Sequence, residues 1–273
     1  MFDKQEGLEM SRWDHSSHEK FYDYYAKESE SPNTRQRFAS IQKLIHRIIM
    51  EDRGSVTAFD VVDIGCGAGV QSLMWAASGH RVHGLDINEP LLALANRRAA
   101  EAGYAIDFRL GSATDLPWAS GSMDVCIAPE LLEHVAEWNA CLGEMARVLR
   151  PGGVLFLTTT NKLCPVQQEF NLPLYSWYPA AVKRYCEHLA VTTRPELANF
   201  AKYPAVNWFS FYGLRGALAE LGFRCMDRFD LVDTDDKGRC ARTILSCVRA
   251  VPLLRWCAHV ATPHTTLLGI KRG

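Results

Sequence analysis

The residues best suited to chemistry lie in two short runs. Glu130-Leu131-Leu132-Glu133-His134 places two carboxylates and an imidazole within five positions. Such groups accept, hold or pass a proton at neutral pH. A helical turn starting at Glu130 would set them at i, i+3 and i+4, on one face. The other run, Asp63-Ile64-Gly65-Cys66-Gly67-Ala68-Gly69, has an acid followed by alternating glycines. Glycine admits positive φ and brings a ligand close to the backbone, because it has no Cβ.

These side chains need elements to hold them. Phe59, Val61, Val62 and Ile64 read as a short buried strand that enters the glycine turn, and a helix is expected from about Ala68 to Ala77. That helix offers free N–H groups and a positive dipole end to whatever rests on the turn. A second strand, His83-Gly84-Leu85-Asp86-Ile87, ends in an acid 17 residues beyond Gly69. Asn88 reads as the cap of a helix to about Gly103, with Pro90 tolerated in its first turn. Ile106, Phe108 and Leu110 alternate as a third strand, Gly111-Ser112-Ala113-Thr114 follows, and Ser122–Ala128 is a fourth. That strand ends in Pro129–Val135, and a helix is expected after it to about Leu149. Arg150-Pro151-Gly152-Gly153 then turns the chain into a fifth strand, Val154–Thr159.

Glycines spaced 65, 67, 69 differ from the G-x-G-x-x-G of a dinucleotide fingerprint. The stretch from Asp63 to Gly69 resembles the first motif of class I S-adenosylmethionine (SAM) methyltransferases. The order Gly111-Ser112-Ala113-Thr114-Asp115-Leu116-Pro117, Ser122-Met123-Asp124-Val125 and Leu149-Arg150-Pro151-Gly152-Gly153 resembles the same family. The resemblance covers about residues 58–160. It implies an α/β, Rossmann-like seven-stranded sheet of order 3-2-1-4-5-7-6, with the last strand antiparallel and helices on both faces. It implies SAM as cofactor. Asp63, Gly65, Cys66, Gly67 and Gly69 would lie at its amino-acid end, Asp86 at the ribose, and Ser112 and Ala113 at the adenine, with Ile87 and Thr114 also binding the cofactor. Serine stands at 112 where the family usually has aspartate, so a contact there lacks the strength that charge gives. Ala113 and Trp118 are expected as pocket walls.

Glu130-x-x-Glu133-His134-Val135 is similar to the ubiquinone-biosynthesis O-methyltransferases. The resemblance implies catalytic or acceptor-positioning roles for His134, Glu133 and Glu130. In some relatives the same three positions hold a divalent metal; the version without metal is favoured here. The expected activity is methyl transfer to a small-molecule acceptor in biosynthesis, most simply O-methylation of a hydroxyl. Two other readings stay open: a nicotinamide-dependent oxidoreductase, and a SAM-binding regulatory or partner protein without catalysis.

The expected organisation is an N-terminal helical cap (1–52), a SAM-binding core (53–160), an inserted substrate lobe (161–207) and C-terminal elements that complete the sheet (208–273). In the cap, Phe21, Tyr22, Tyr24 and Tyr25 mark a short helix. Ser31-Pro32 opens a longer one bearing Phe38, Ile41, Leu44, Ile45, Ile48 and Ile49 at helical spacing. The aromatic-rich segment 161–207 interrupts the alternating rhythm, and long interruptions of this kind usually carry function. After it, a helix is expected over Phe211–Leu221, a strand over Phe223–Val232, helix interrupted or bent around Pro252 within Thr243–Ala258, and a last strand over Thr265–Ile270.

Composition narrows the class. Of 273 residues, 48% are apolar and 22% charged, with net charge -1. That is an ordinary globular composition without the basic excess of a nucleic-acid binder. No run is long enough for a membrane span, and Met1–Glu6 lacks the charged-then-apolar form of a signal peptide. Nine cysteines, none in C-x-x-C, fit a reducing cytoplasm. Oligomeric state and the identity of the acceptor are not encoded in any recognisable pattern.

Overall fold

A computed structural model describes residues 29–54, 58–199, 204–234 and 237–273. The expected aromatic helix at 19–26 lies outside the described residues.

Seven strands form one sheet: β1 (Asp60–Ile64), β2 (Arg81–Asp86), β3 (Asp107–Leu110), β4 (Met123–Pro129), β5 (Leu149–Thr160), β6 (Phe223–Asp227) and β7 (His264–Lys271). Their order is β3-β2-β1-β4-β5-β7-β6. The first five pair in parallel, and β7 runs antiparallel to both β5 and β6. This is the order and polarity that the sequence implied.

The central strands are apolar without a break because both faces of the sheet are covered. Val61, Val125, Ile127, Val154 and Phe156 face one side, where they meet Ile41, Ile45 and Ile49 of helix α1 (Pro32–Arg53) and Trp75 of α2 (Val70–Ala77). Their sequence neighbours Val62, Ile64, Cys126, Ala128, Leu155 and Leu157 face the other side, against α4 (Trp138–Val148) and α6 (Phe211–Glu220). Helix α3 (Glu89–Ala102) links β2 to β3. Asn88 caps it by accepting a bond from the Leu91 amide at 3.1 Å, and Gly103 ends it at φ 75°.

Helix α1 starts as expected, with the Ser31 hydroxyl accepting from the Thr34 amide at 3.2 Å and Pro32 in the first turn. Helix α5 (Ala180–Thr192) lies in the segment 161–207. Phe170 stacks on Tyr175 there at 4.1 Å, and both pack with Cys186, Ala190 and Ala198 in a small separate core.

Two boundaries differ from expectation. Strand β6 stops at Asp227 and does not continue to Val232. The Asp227 carboxylate accepts bonds from the Phe229 amide at 2.8 Å and the Asp230 amide at 3.0 Å, which folds the backbone into a turn. The helix after β4 begins at Trp138, but the helical turn supposed to start at Glu130 starts later. Residues 132–134 form a single 3-10 turn, and Asn207 clamps its carbonyls, donating from Nδ2 to Leu132 O (3.0 Å) and Val135 O (2.6 Å). The helical region near the C-terminus is two helices, α7 (Arg239–Ala250) and α8 (Pro252–Val260), separated at Val251 before the proline.

Candidate active site

The carboxyl ends of β1, β2 and β4 converge on the glycine turn. The amides of Gly65 and Cys66 both donate to Leu85 O, at 2.7 and 3.1 Å, which holds the turn against β2. Gly69 sits at φ 77° and precedes α2; a Cβ there would stand 2.8 Å from Ala95 Cβ. Both the backbone conformation and the close approach of α3 therefore require glycine. At Gly67, also at positive φ, a Cβ would meet nothing within 4 Å. That open side of the turn gives a ligand access to the backbone.

The two acids differ in environment. Asp63 is buried, 2% exposed, and its Oδ2 accepts the Ser72 hydroxyl at 2.7 Å. Burial pushes its pKa up to about 7, with the nearby Asp86 charge adding to the rise. Asp63 thus braces the first turn of α2 from beneath. Asp86 is half-buried at the end of β2. Its Oδ2 accepts the Gly67 amide and its Oδ1 the Asn88 amide, each at 2.8 Å. Burial raises its pKa, and these backbone bonds oppose the rise. Each carboxylate oxygen retains a further acceptor position, so Asp86 can still hold a pair of hydroxyls. Ile87 next to it is 55% exposed and offers an apolar surface at the same strand end. Cys66 is buried, and burial holds its thiol protonated.

Beyond β3, Ser112 accepts the Thr114 amide at 3.2 Å, and the two hydroxyls lie 2.7 Å apart. Ser112 therefore closes a local turn that presents the backbone around Ala113, which is buried. Trp118 packs in the main core, its indole 3.5 Å from Asp107 Oδ2 and its ring 5.5 Å from the Arg109 guanidinium. Asp107 pairs with His83, three residues before the end of β2, about 10 Å along the strand.

The second cluster follows β4 directly. Leu131 lies against the glycine turn: a Cβ on Gly65 would stand 3.1 Å from Leu131 Cδ1. The single helical face expected for Glu130, Glu133 and His134 does not form, because Glu130 adopts φ 54° and lies outside the turn. Glu130 points to α1, with Oε1 2.5 Å from Arg37 Nη1. Glu133 is 1% exposed and accepts the Thr159 hydroxyl at 2.8 Å. Burial pushes its pKa up to about 8, with Glu169 and Glu130 adding to the rise, so it is largely protonated at neutral pH. His134 is partly exposed at the end of the turn. Among the described residues, no three His, Cys, Asp or Glu side chains are placed together in a way that could hold a metal ion.

Several polar neighbours of this cluster were not foreseen. Arg37 comes from α1, Thr159 from the end of β5, and Glu169 from the 161–207 segment, where burial pushes its pKa up to about 7. His264, at the start of β7, feels Glu130 and Arg37. Only Thr159 left a trace in the sequence, as polar residues ending an otherwise apolar strand. The 161–207 segment also anchors to the turn: the amides of Val206 and Asn207 donate to Glu133 O at 2.8 and 3.1 Å.

This architecture, an open glycine turn beside a strand-end carboxylate, suits a nucleoside ligand at the carboxyl edge of a parallel sheet. Comparison with known proteins agrees. The family described as "Methyltransferase domain" matches residues 62–157. A ubiquinone biosynthesis O-methyltransferase of Aromatoleum aromaticum is 36% identical over 166 residues, covering 55% of this chain and 70% of that protein. One from Thiobacillus denitrificans is 34% identical over 114 residues, covering 41% and 49%. The chain spans about half the length, or less, of several of the curated relatives it matches. Among solved structures, a SAM-dependent methyltransferase from Aquifex aeolicus shares the fold with TM-score 0.53 at 13% identity, covering 89% of this chain and 95% of that one. SAM is the cofactor that this architecture and these likenesses require, and the chain belongs to the class I SAM-dependent methyltransferases.

Proposed function

We propose that this methyltransferase acts on a hydroxyl oxygen of a small-molecule acceptor, held between the 130–134 turn and the 161–207 segment. The observation that carries this reading is the contact of Leu131 with Gly65, which sets the Glu-x-x-Glu-His turn beside the glycine turn. The O-methyltransferase relatives support the choice of oxygen.

SAM supplies an electrophilic methyl group on a sulfonium sulfur. The chain's part is to bind and orient. Asp86 would accept the ribose hydroxyls, the backbone of Gly65 and Gly67 would line the amino-acid end, and Ile87 and Ala113 would flank the base. His134 would orient the acceptor hydroxyl and take its proton as the oxygen becomes methylated. Glu130 and Glu133 act through structure. Arg37 holds Glu130, and neutral Glu133 fixes the turn against Thr159. The 161–207 segment is the acceptor lobe of this reading, and α1 is its cap. Nine unpaired cysteines, five of them buried, support a reducing cytoplasm as its location.

The test is His134→Ala. SAM affinity by calorimetry should stay nearly normal, while turnover, followed as S-adenosylhomocysteine release across phenol, sugar-hydroxyl and amine acceptors, should fall about 10²–10⁴-fold. Full activity in this variant would show that the turn is structural and that proximity drives transfer. A preference for amines would replace oxygen by nitrogen.

A further inference from the structure

Helices α7 and α8 are oriented opposite to the usual surface helix. On α8 the polar side chains face the protein: Arg255 Nε donates to Asp227 Oδ2 at 2.6 Å, and His259 Nε2 lies 2.9 Å from the same oxygen. On α7, Arg249 turns inward to the carbonyls of Phe229 (2.9 Å) and Val232 (2.9 Å). The apolar side chains face out. Leu253 is 68% exposed, Ile244 59%, and Leu254 and Trp256 44% each. Cys240, Cys247 and Cys257 are exposed beside them. No residue of α7 is buried. Its apolar positions Cys240, Ile244, Cys247 and Val248 recur at helical spacing, and Arg239 and Arg242 occupy the other side.

The charge of this region sets it apart. Lys237–Gly273 holds seven Lys and Arg and no Asp or Glu, whereas the 236 residues before it carry eight more acids than bases. Exposed apolar side chains that include a tryptophan, on helices whose exposed charges Arg239 and Arg242 are both cationic, match helices that lie in a membrane interface.

We propose that α7 and α8 seat the protein on an anionic lipid surface. Leu253, Leu254, Ile244 and Trp256 enter the boundary between headgroups and acyl chains, and Arg239 and Arg242 meet lipid phosphates. The outward side chains carry few directional hydrogen-bonding groups, which suits a fluid surface. A two-fold contact with a second copy would bring Arg239 and Arg242 of both chains toward one another, at an electrostatic cost.

The experiment is flotation of the full chain with vesicles of phosphatidylcholine alone and of phosphatidylcholine mixed with phosphatidylglycerol. Binding is expected to the mixed vesicles and to weaken as salt rises. Leu253→Glu with Trp256→Glu should abolish it, with SAM affinity retained as evidence of folding. Arg239→Gln and Arg242→Gln should each weaken it about five-fold, the scale of one cation near an anionic leaflet. No flotation, or flotation unchanged in the Leu253→Glu, Trp256→Glu chain, overturns the proposal. So does light scattering that shows a dimer broken by these substitutions without vesicle binding, which assigns the patch to self-association.

Discussion

Asp86 and Asp227 hold the same position in two strands and have opposite fates. Each is the last residue of its strand, β2 or β6, and each accepts the amide two residues on at 2.8 Å. The second oxygen makes the difference. In Asp86 it accepts the Gly67 amide and, among the described residues, no guanidinium or imidazole is bonded to it, so the carboxylate stays half-buried at the ligand end of the sheet. In Asp227 it meets Arg255 and His259, and the residue is fully buried. Burial alone would raise the Asp227 pKa, but the bonds from His259 and Arg255 outweigh it and hold the carboxylate well below the usual range. A strand-end acid given backbone donors stays available to a ligand; one given cations becomes a structural anchor.

The largest effect expected from this contrast is on stability. Asp227→Ala should cost about 3–5 kcal/mol, because it leaves Arg255 and His259 facing an uncompensated buried site. Urea unfolding would measure it. A loss below about 1 kcal/mol would mean that α8 and β6 do not depend on this anchor.

Asp86→Ala should do the reverse. SAM binding should weaken by about 1–3 kcal/mol in calorimetry, while the unfolding midpoint moves little. Unchanged affinity in the folded variant would remove the ribose role from Asp86 and the functional half of the comparison with it.

The smallest effect is on the pH profile of stability. Asp227 has a folded pKa below its unfolded value, so its contribution is present above the ordinary carboxylate range and is lost as pH falls through and below it. Asp86 has a raised folded pKa, as do Asp63 (about 7) and Glu133 (about 8). These groups bind more protons folded than unfolded, so they favour the native chain at low pH and cost stability as pH rises from the carboxylate range toward 8. Thermal melts across pH should show both limbs. Asp227→Asn should flatten the acid limb, and Glu133→Gln the neutral one.

The same contrast explains which parts the sequence discloses. The region from Asp63 to Asp86 is legible because its requirements are local: positive φ at the glycines, an apolar run ending in an acid, a helix start just after. The sheet order followed from a resemblance that rests on those local signals. Asp227 was hidden inside a stretch that reads as continuous strand, since its partners lie 28 and 32 residues away on another helix. The Glu130–His134 turn was recognisable as chemistry but not in shape. Its positive φ and its 3-10 turn accompany bonds from Asn207, more than 70 residues later. Arg37 and Glu169 reached that turn from elements whose own patterns gave no reason to look there. Long-range polar contacts of this kind have no periodicity to read.

The placing of β7 bears on how the chain reaches this state during synthesis. β7 is the last strand in sequence, yet it lies between β5 and β6 in the sheet. As the protein leaves the ribosome, β1 to β5 can pair in order, but β6 has no partner until β7 emerges. Until then the edge of β5 is open along much of its length, and its Val-Leu-Phe-Leu run is a surface for pairing with other nascent chains. Closure comes only when β7 enters that gap, so the edge of β5 stays open while every element between β5 and β7 is made.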